Sequence, residues 1–134
     1  MPAASPYRSL KDLVEAGRNP ANKVTVGVPG IGSAPQIELA ILNSLAGTDI
    51  ATAPYRGATF ILGDMLGDQI PAGAAAVPAF ATQILEGKVR GLAVVSPERS
   101  SILRDIPTVR EATGLDMDGF PPWYGFFAPA GTAP

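Results

Sequence analysis

Residues Val24–Pro35 read VTVGVPGIGSAP, a β-branched run followed by a glycine-rich turn that opens onto a helix. A junction of this kind aims free backbone N–H groups and the positive end of a helix dipole at one spot. Ser33 stands where a side chain caps the helix, and Pro35 where a first-turn proline is tolerated. Outward from it, the sequence predicts a strand at Val24–Val28 and a helix over 36–46 that ends at Gly47. That helix is apolar on most faces, with Ile37, Leu39, Ile41, Leu42 and Leu45, which predicts deep packing.

The flanking segments repeat the alternation. Ser9 caps a helix carrying Leu10, Leu13 and Val14, stopped by Gly17 and Asn19-Pro20. Ile50–Ala53 reads as a short strand closed by Pro54, and Tyr55-Arg56-Gly57 turns into a helix over 59–66 that Gly67-Asp68 ends. Ile70–Val77 reads as a strand from its spacing, although Pro71 and Gly73 interrupt it. Pro78 opens a helix through Leu85, ended by Gly87, and Val89–Val95 is an apolar strand. A short helix follows over 108–113, and the last apolar run is Trp123–Ala128. Its aromatics, Trp123, Tyr124, Phe126 and Phe127, read as a core strand with one wet edge ahead of the lining of a ligand cleft or a partner surface. Strands alternating with helices in one chain of 134 residues predict a single α/β domain with three layers and a largely parallel sheet.

Composition narrows the chemistry. The chain has no cysteine and no histidine, which excludes disulfides, thiol nucleophiles, the usual zinc ligand sets and the commonest general base. Ser33, Ser96, Ser100 and Ser101 lack a histidine partner, and Lys11, Lys23 and Lys88 fall in poor places to replace one. A net charge of −2 gives no basic footprint for nucleic acid. The opening MPAASPYRSL has neither the basic nor the apolar region of an export signal, and no window approaches a membrane span. The expectation is a chain that needs no cofactor, binds no metal and is not an enzyme.

In open parallel sheets, ligands lie outside the carboxyl ends of the strands. Two turns fall there, at 30–34 and 54–58. Together they offer backbone donors, hydroxyls from Ser33 and Tyr55, and the cation Arg56, a set suited to a small anion. Phosphate motifs do not fit. No lysine follows the glycines as in a P-loop, and Pro35 stands at the third glycine position of a dinucleotide fingerprint. Most glycine-rich turns only reverse the chain, and a lone loop arginine is more often a solvated charge. Asp64 and Asp68, one helical turn apart, read as an exposed helix end and not as a metal pair.

An ordered series of motifs gives these loops a context. It runs through Ser9-Leu10-Lys11-Asp12-Leu13, Gly30-Ile31-Gly32-Ser33, Ala46-Gly47-Thr48-Asp49-Ile50 and Pro54-Tyr55-Arg56-Gly57. It continues through Glu86-Gly87-Lys88-Val89-Arg90-Gly91-Leu92-Ala93-Val94, Asp105-Ile106-Pro107-Thr108-Val109 and the stretch from Trp123 to Thr132. In order and spacing from Tyr7 to Pro134 the chain resembles the Bug family, periplasmic solute receptors of tripartite tricarboxylate transporters.

The resemblance implies one lobe of a type II periplasmic binding protein, a Venus flytrap whose two lobes close over a small organic carboxylate. It implies that residues 1–134 are the second lobe. The first lobe with its signal peptide, and the segment that returns to it, then lie outside this chain, as in a truncated or excised domain. It places ligand binding on Gly32, Ser33, Ala34, Tyr55, Arg56 and Gly57. The implied partners are the first lobe and membrane transporter subunits, in the periplasm. An isolated lobe also has a second reading, a non-binding domain that forms a homodimer through its exposed former inter-lobe surface. The chain departs from the family at Pro35-Gln36, where many members have proline-histidine. It departs again at Ile70–Ala76, where Pro71 and Ala75 replace two familiar aspartates. Those replacements favour an aliphatic or aromatic carboxylate over an amino acid.

Overall fold

In the computed structural model, which describes residues 1–117, 125 and 127–131, the valine run forms β1 at Thr25–Val28. It lies at the centre of a parallel three-stranded sheet, between β2 (Ala51–Pro54) and β3 (Ala72–Gly73). Five helices accompany the sheet: α1 (Leu10–Arg18), α2 (Ala34–Ala46), α3 (Ala58–Leu66), α4 (Val77–Leu85) and α5 (Val109–Thr113). The α/β class and the parallel sheet expected from the sequence are both present.

Side-chain alternation along β1 builds two cores. Val24 and Val26 pack with Leu39 and Leu42 of α2, with Leu10, Leu13 and Val14 of α1, and with Val109 of α5. On the other face, Ile61 and Met65 of α3 pack with Ile70, Phe80 of α4 and Val89. The chain steps from β1 to β2 on one side, then back across β1 to β3 on the other, which puts α2 and α3 on opposite faces. The result is three layers. Burying side chains such as Ile61 and Met65 contributes about 1.5–3 kcal/mol each; both are almost wholly inaccessible.

Glycine makes the α3 face possible. A Cβ on Gly27 would stand 2.8 Å from Ile70 Cδ1 and 3.1 Å from Ile61 Cγ2, and a Cβ on Gly73 would collide with Ile61 Cγ2. Two adjacent strands therefore present bare backbone to one helix. The opposite end of the sheet is fixed by Asn43, whose Nδ2 donates to Ile50 O while its Oδ1 accepts from Ile50 N and Thr48 Oγ1. This ties the end of α2 to the start of β2.

Four expectations are corrected. The strand expected over Ile70–Val77 shrinks to two residues, because Pro71 has no N–H to donate and Ala74 makes the last bond to β1, from its N–H to Gly27 O at 2.8 Å. Val89–Val95 joins no ladder. Its backbone is engaged elsewhere, by Pro2 at Val89, by Met1 O at the Arg90 N–H and by Pro107–Val109 at Val94. Helix α2 is packed on one side only, with Ile37 and Leu45 about half exposed. Ser33 occupies the N-cap position, yet its hydroxyl does not cap α2. Trp123, Tyr124 and Phe126 lie outside the described residues; Phe127 is exposed.

Candidate functional site

The site begins where β1 and β2 end level. Val28 pairs with Pro54, and the Tyr55 N–H donates to Val28 O at 2.8 Å, so the turns after the two strands leave the sheet side by side. Gly30 and Gly32 adopt φ of 118° and 74°, a region that other residues enter only with strain. No atom lies within 4 Å of the position a Cβ would take at either. Conformation, not space, is what requires glycine here.

Ser33 turns back into the loop and donates from Oγ to Gly30 O at 2.8 Å. The Ser33 and Ala34 N–H groups at the start of α2 have no hydrogen-bond acceptor among the described residues. The Gly32 N–H is taken by Gln36 Oε1 at 2.7 Å. Backbone donors, the helix dipole and a roomy, glycine-shaped turn thus converge on one point, which is the physical requirement for holding an anion.

A cavity of about 1060 Å³ opens beside this loop. Pro29, Ser33, Ala34 and Glu38 line one wall, and Ala74, Ala75 and Ala76 stand on the wall after β3. Both walls rise from the carboxyl ends of β1 and β3, at the switch point of a sheet ordered β2-β1-β3. Glu38 is half-buried, and burial holds its pKa above the ordinary carboxylate value.

The six residues singled out in the sequence divide between the two turns. Ser33 and Ala34 line the cavity, whereas Gly32, Tyr55, Arg56 and Gly57 lie outside its wall. Arg56 is exposed and makes no hydrogen bond or ion pair with the described residues. Tyr55 is committed inward. Its hydroxyl donates to Asp64 Oδ2 at 2.7 Å, and that bond, with the nearby carboxylate charge, raises the phenol's pKa. Asp64 is thus the acceptor that fixes the Tyr55 ring beside α3.

Sequence reasoning missed Gln36 as part of the loop and Asp64 as the tyrosine's partner. Gln36 carried a signal, a polar side chain in the first turn of an otherwise apolar helix. Asp64 carried none, because the turn that folds Tyr55 over α3 is not written in the spacing.

The whole chain, residues 1–134, matches the family model described as the tripartite tricarboxylate transporter family receptor. A Pseudomonas sp. protein from the tcbD-tcbE intergenic region is 31% identical over 132 residues, covering 98% of this chain and 39% of that protein. BugT of Bordetella pertussis is 28% identical over 131 residues, covering 94% of this chain and 38% of BugT. Among solved structures, an R. palustris protein with adipate superposes with a TM-score of 0.76 at 26% identity, over 84% of this chain and 38% of the other. The periplasmic binding protein BugD superposes with a TM-score of 0.70 at 27% identity, over 87% of this chain and 39% of the other. The chain spans about two fifths of the length of these relatives.

Proposed function

The chain belongs to the tripartite tricarboxylate transporter receptor family, and we propose that it is the second lobe of a solute receptor that takes one carboxylate group of a small organic acid. In this reading the Ser33 and Ala34 N–H groups bind the carboxylate oxygens, and Arg56 supplies long-range attraction from the neighbouring turn. The role is binding without catalysis. The first lobe belongs to the remaining length seen in relatives, and the complete receptor works in the periplasm with membrane transporter subunits.

The observation that carries the reading is the uncapped start of α2. The Ser33 and Ala34 N–H groups have no hydrogen-bond acceptor among the described residues, and both residues line the cavity. The adipate held by the R. palustris relative is a ligand of the proposed class. The wall of Ala74, Ala75 and Ala76 is apolar, which suits the hydrocarbon part of an organic acid.

Titration of this chain with adipate, followed by amide chemical shifts, tests the reading. Half a cleft binds weakly, with a dissociation constant on the order of millimolar. The largest shifts are expected at Ser33 and Ala34, followed by Arg56 and Gly57. Saturable shifts that avoid both turns would overturn the assignment.

A second reading draws on Ile31, Ile37 and Phe60, which are 85%, 54% and 59% exposed around the same end of the sheet. In it the lobe self-associates through that apolar surface. Light scattering that finds a monomer at high concentration removes it.

A further inference from the structure

Gln36, in the first turn of α2, is used twice. Its Oε1 accepts the Gly32 N–H at 2.7 Å, and its Nε2 donates to Thr52 Oγ1, 3.2 Å away on β2. One side chain therefore clamps the glycine turn to the neighbouring strand. Packing does not do this work, because no atom lies within 4 Å of the Cβ positions of Gly30 and Gly32. The clamp also edits the donor set. With the Gly32 N–H occupied, the groups left for a ligand are those of Ser33 and Ala34.

We infer that Gln36 is a positioning residue for the carboxylate site, an inference that rests on the receptor reading above. It fixes the turn before a ligand arrives, so less ordering remains to oppose binding. A neutral amide suits the place. A carboxylate there still accepts the Gly32 N–H, but it cannot donate to Thr52, and it sets a negative charge close to the bound anion. An isosteric apolar side chain does neither job.

The test combines amide hydrogen exchange with adipate titration on the 134-residue chain and its Gln36→Met, Gln36→Glu and Thr52→Val variants. The Gly32 amide is expected to exchange slowly in the wild type and in Gln36→Glu, and at least about tenfold faster in Gln36→Met. Adipate affinity is expected to fall about tenfold in Gln36→Met and about threefold in Thr52→Val, the range that loss of one hydrogen bond produces. In Gln36→Glu affinity also falls, but added salt restores part of it, because there the loss is electrostatic. Protection of the α2 interior must be unchanged throughout, which separates positioning from unfolding. Equal adipate affinity in wild type and Gln36→Met, or Gly32 exchange indifferent to the substitution, overturns the inference and leaves the receptor reading intact. A wild-type chain that gives no shift at Ser33 or Ala34 overturns the receptor reading, and the positioning role falls with it.

Discussion

Two pairs of glycines, one under α3 and one in the turn after β1, do opposite work. Gly27 and Gly73 lie side by side in the sheet, where a Cβ would strike Ile61, Met65, Ile70 or the ring of Tyr55. Gly30 and Gly32 sit in open space and are needed only because their φ is positive. The floor of the domain thus uses glycine to let a helix approach, and the rim uses it to give the turn its positive φ. Stability is concentrated in the first region and the proposed chemistry in the second, so substitutions should separate the two.

The largest effect is expected at the floor. Gly73→Ala places a methyl against Ile61, whose side chain is fully buried and has no room to yield. A loss of about 1–3 kcal/mol in denaturant unfolding is expected, the usual range for overpacking. Gly27→Ala should cost less, since the nearest atom is the mobile end of Ile70. Combining Gly73→Ala with Ile61→Ala should cost less than the sum of the two, because the second change removes the clash. Strict additivity would mean that the close approach is not what demands glycine.

At the rim the balance reverses. Gly32→Ala meets no atom, and forcing alanine to a φ of 74° costs about 1–2 kcal/mol, partly offset by a stiffer unfolded chain. Its adipate-induced shifts at Ser33 and Ala34 should vanish while the rest of the spectrum is kept. Retention of those shifts would detach the turn's conformation from binding and break the contrast.

How far this division was legible in the sequence depended on the range of the forces involved. Helix ends are local, and Ser9, Gly47 and Gly67 marked them correctly. The turn at 30–34 was also local, and its glycines gave it away. What could not be read was side-chain choice between competing partners: Ser33 bonds Gly30 O instead of capping α2, and Tyr55 reaches Asp64 instead of the rim. Strand pairing failed for a related reason. Val89–Val95 has the composition of a strand, but a ladder needs a free edge, and its backbone is held by the chain's first residues and by Pro107–Val109. The family motifs compensated, since an ordered series of short matches is long-range information that no single segment carries.

The two kinds of helix start give a smaller, sharper test. In α1, Ser9 Oγ accepts the Asp12 N–H at 3.1 Å, and Asp12 accepts the Ser9 N–H at 3.0 Å, a reciprocal cap. Ser9→Ala should therefore cost about 1 kcal/mol. Ser33→Ala leaves α2 as uncapped as before and should cost well under about 1 kcal/mol, chiefly the bond to Gly30 O. Equal losses from thermal unfolding of the two variants would mean that Ser33 does cap its helix in solution, by accepting the Gln36 N–H.

The smallest effect belongs to Glu38, which stands on the cavity wall. Burial raises its pKa in the folded chain above the unfolded value. The folded state then holds the proton more tightly, so this group makes stability fall as pH rises through the window just above the ordinary carboxylate value. Below that window both states are protonated and the penalty is absent; above the folded pKa it is complete and constant. Asp12 and Glu111 run the other way. Backbone bonds from Arg8 and Ser9 hold Asp12 low, and Arg99 with the Thr108 N–H holds Glu111 low, so their stabilisation is lost as pH falls below the carboxylate range. Glu38→Gln should consequently stabilise the chain at neutral pH and do nothing near pH ~3, where both states already carry the proton. Unfolding curves of the two proteins that stay parallel across the whole pH range would place the Glu38 carboxylate in water.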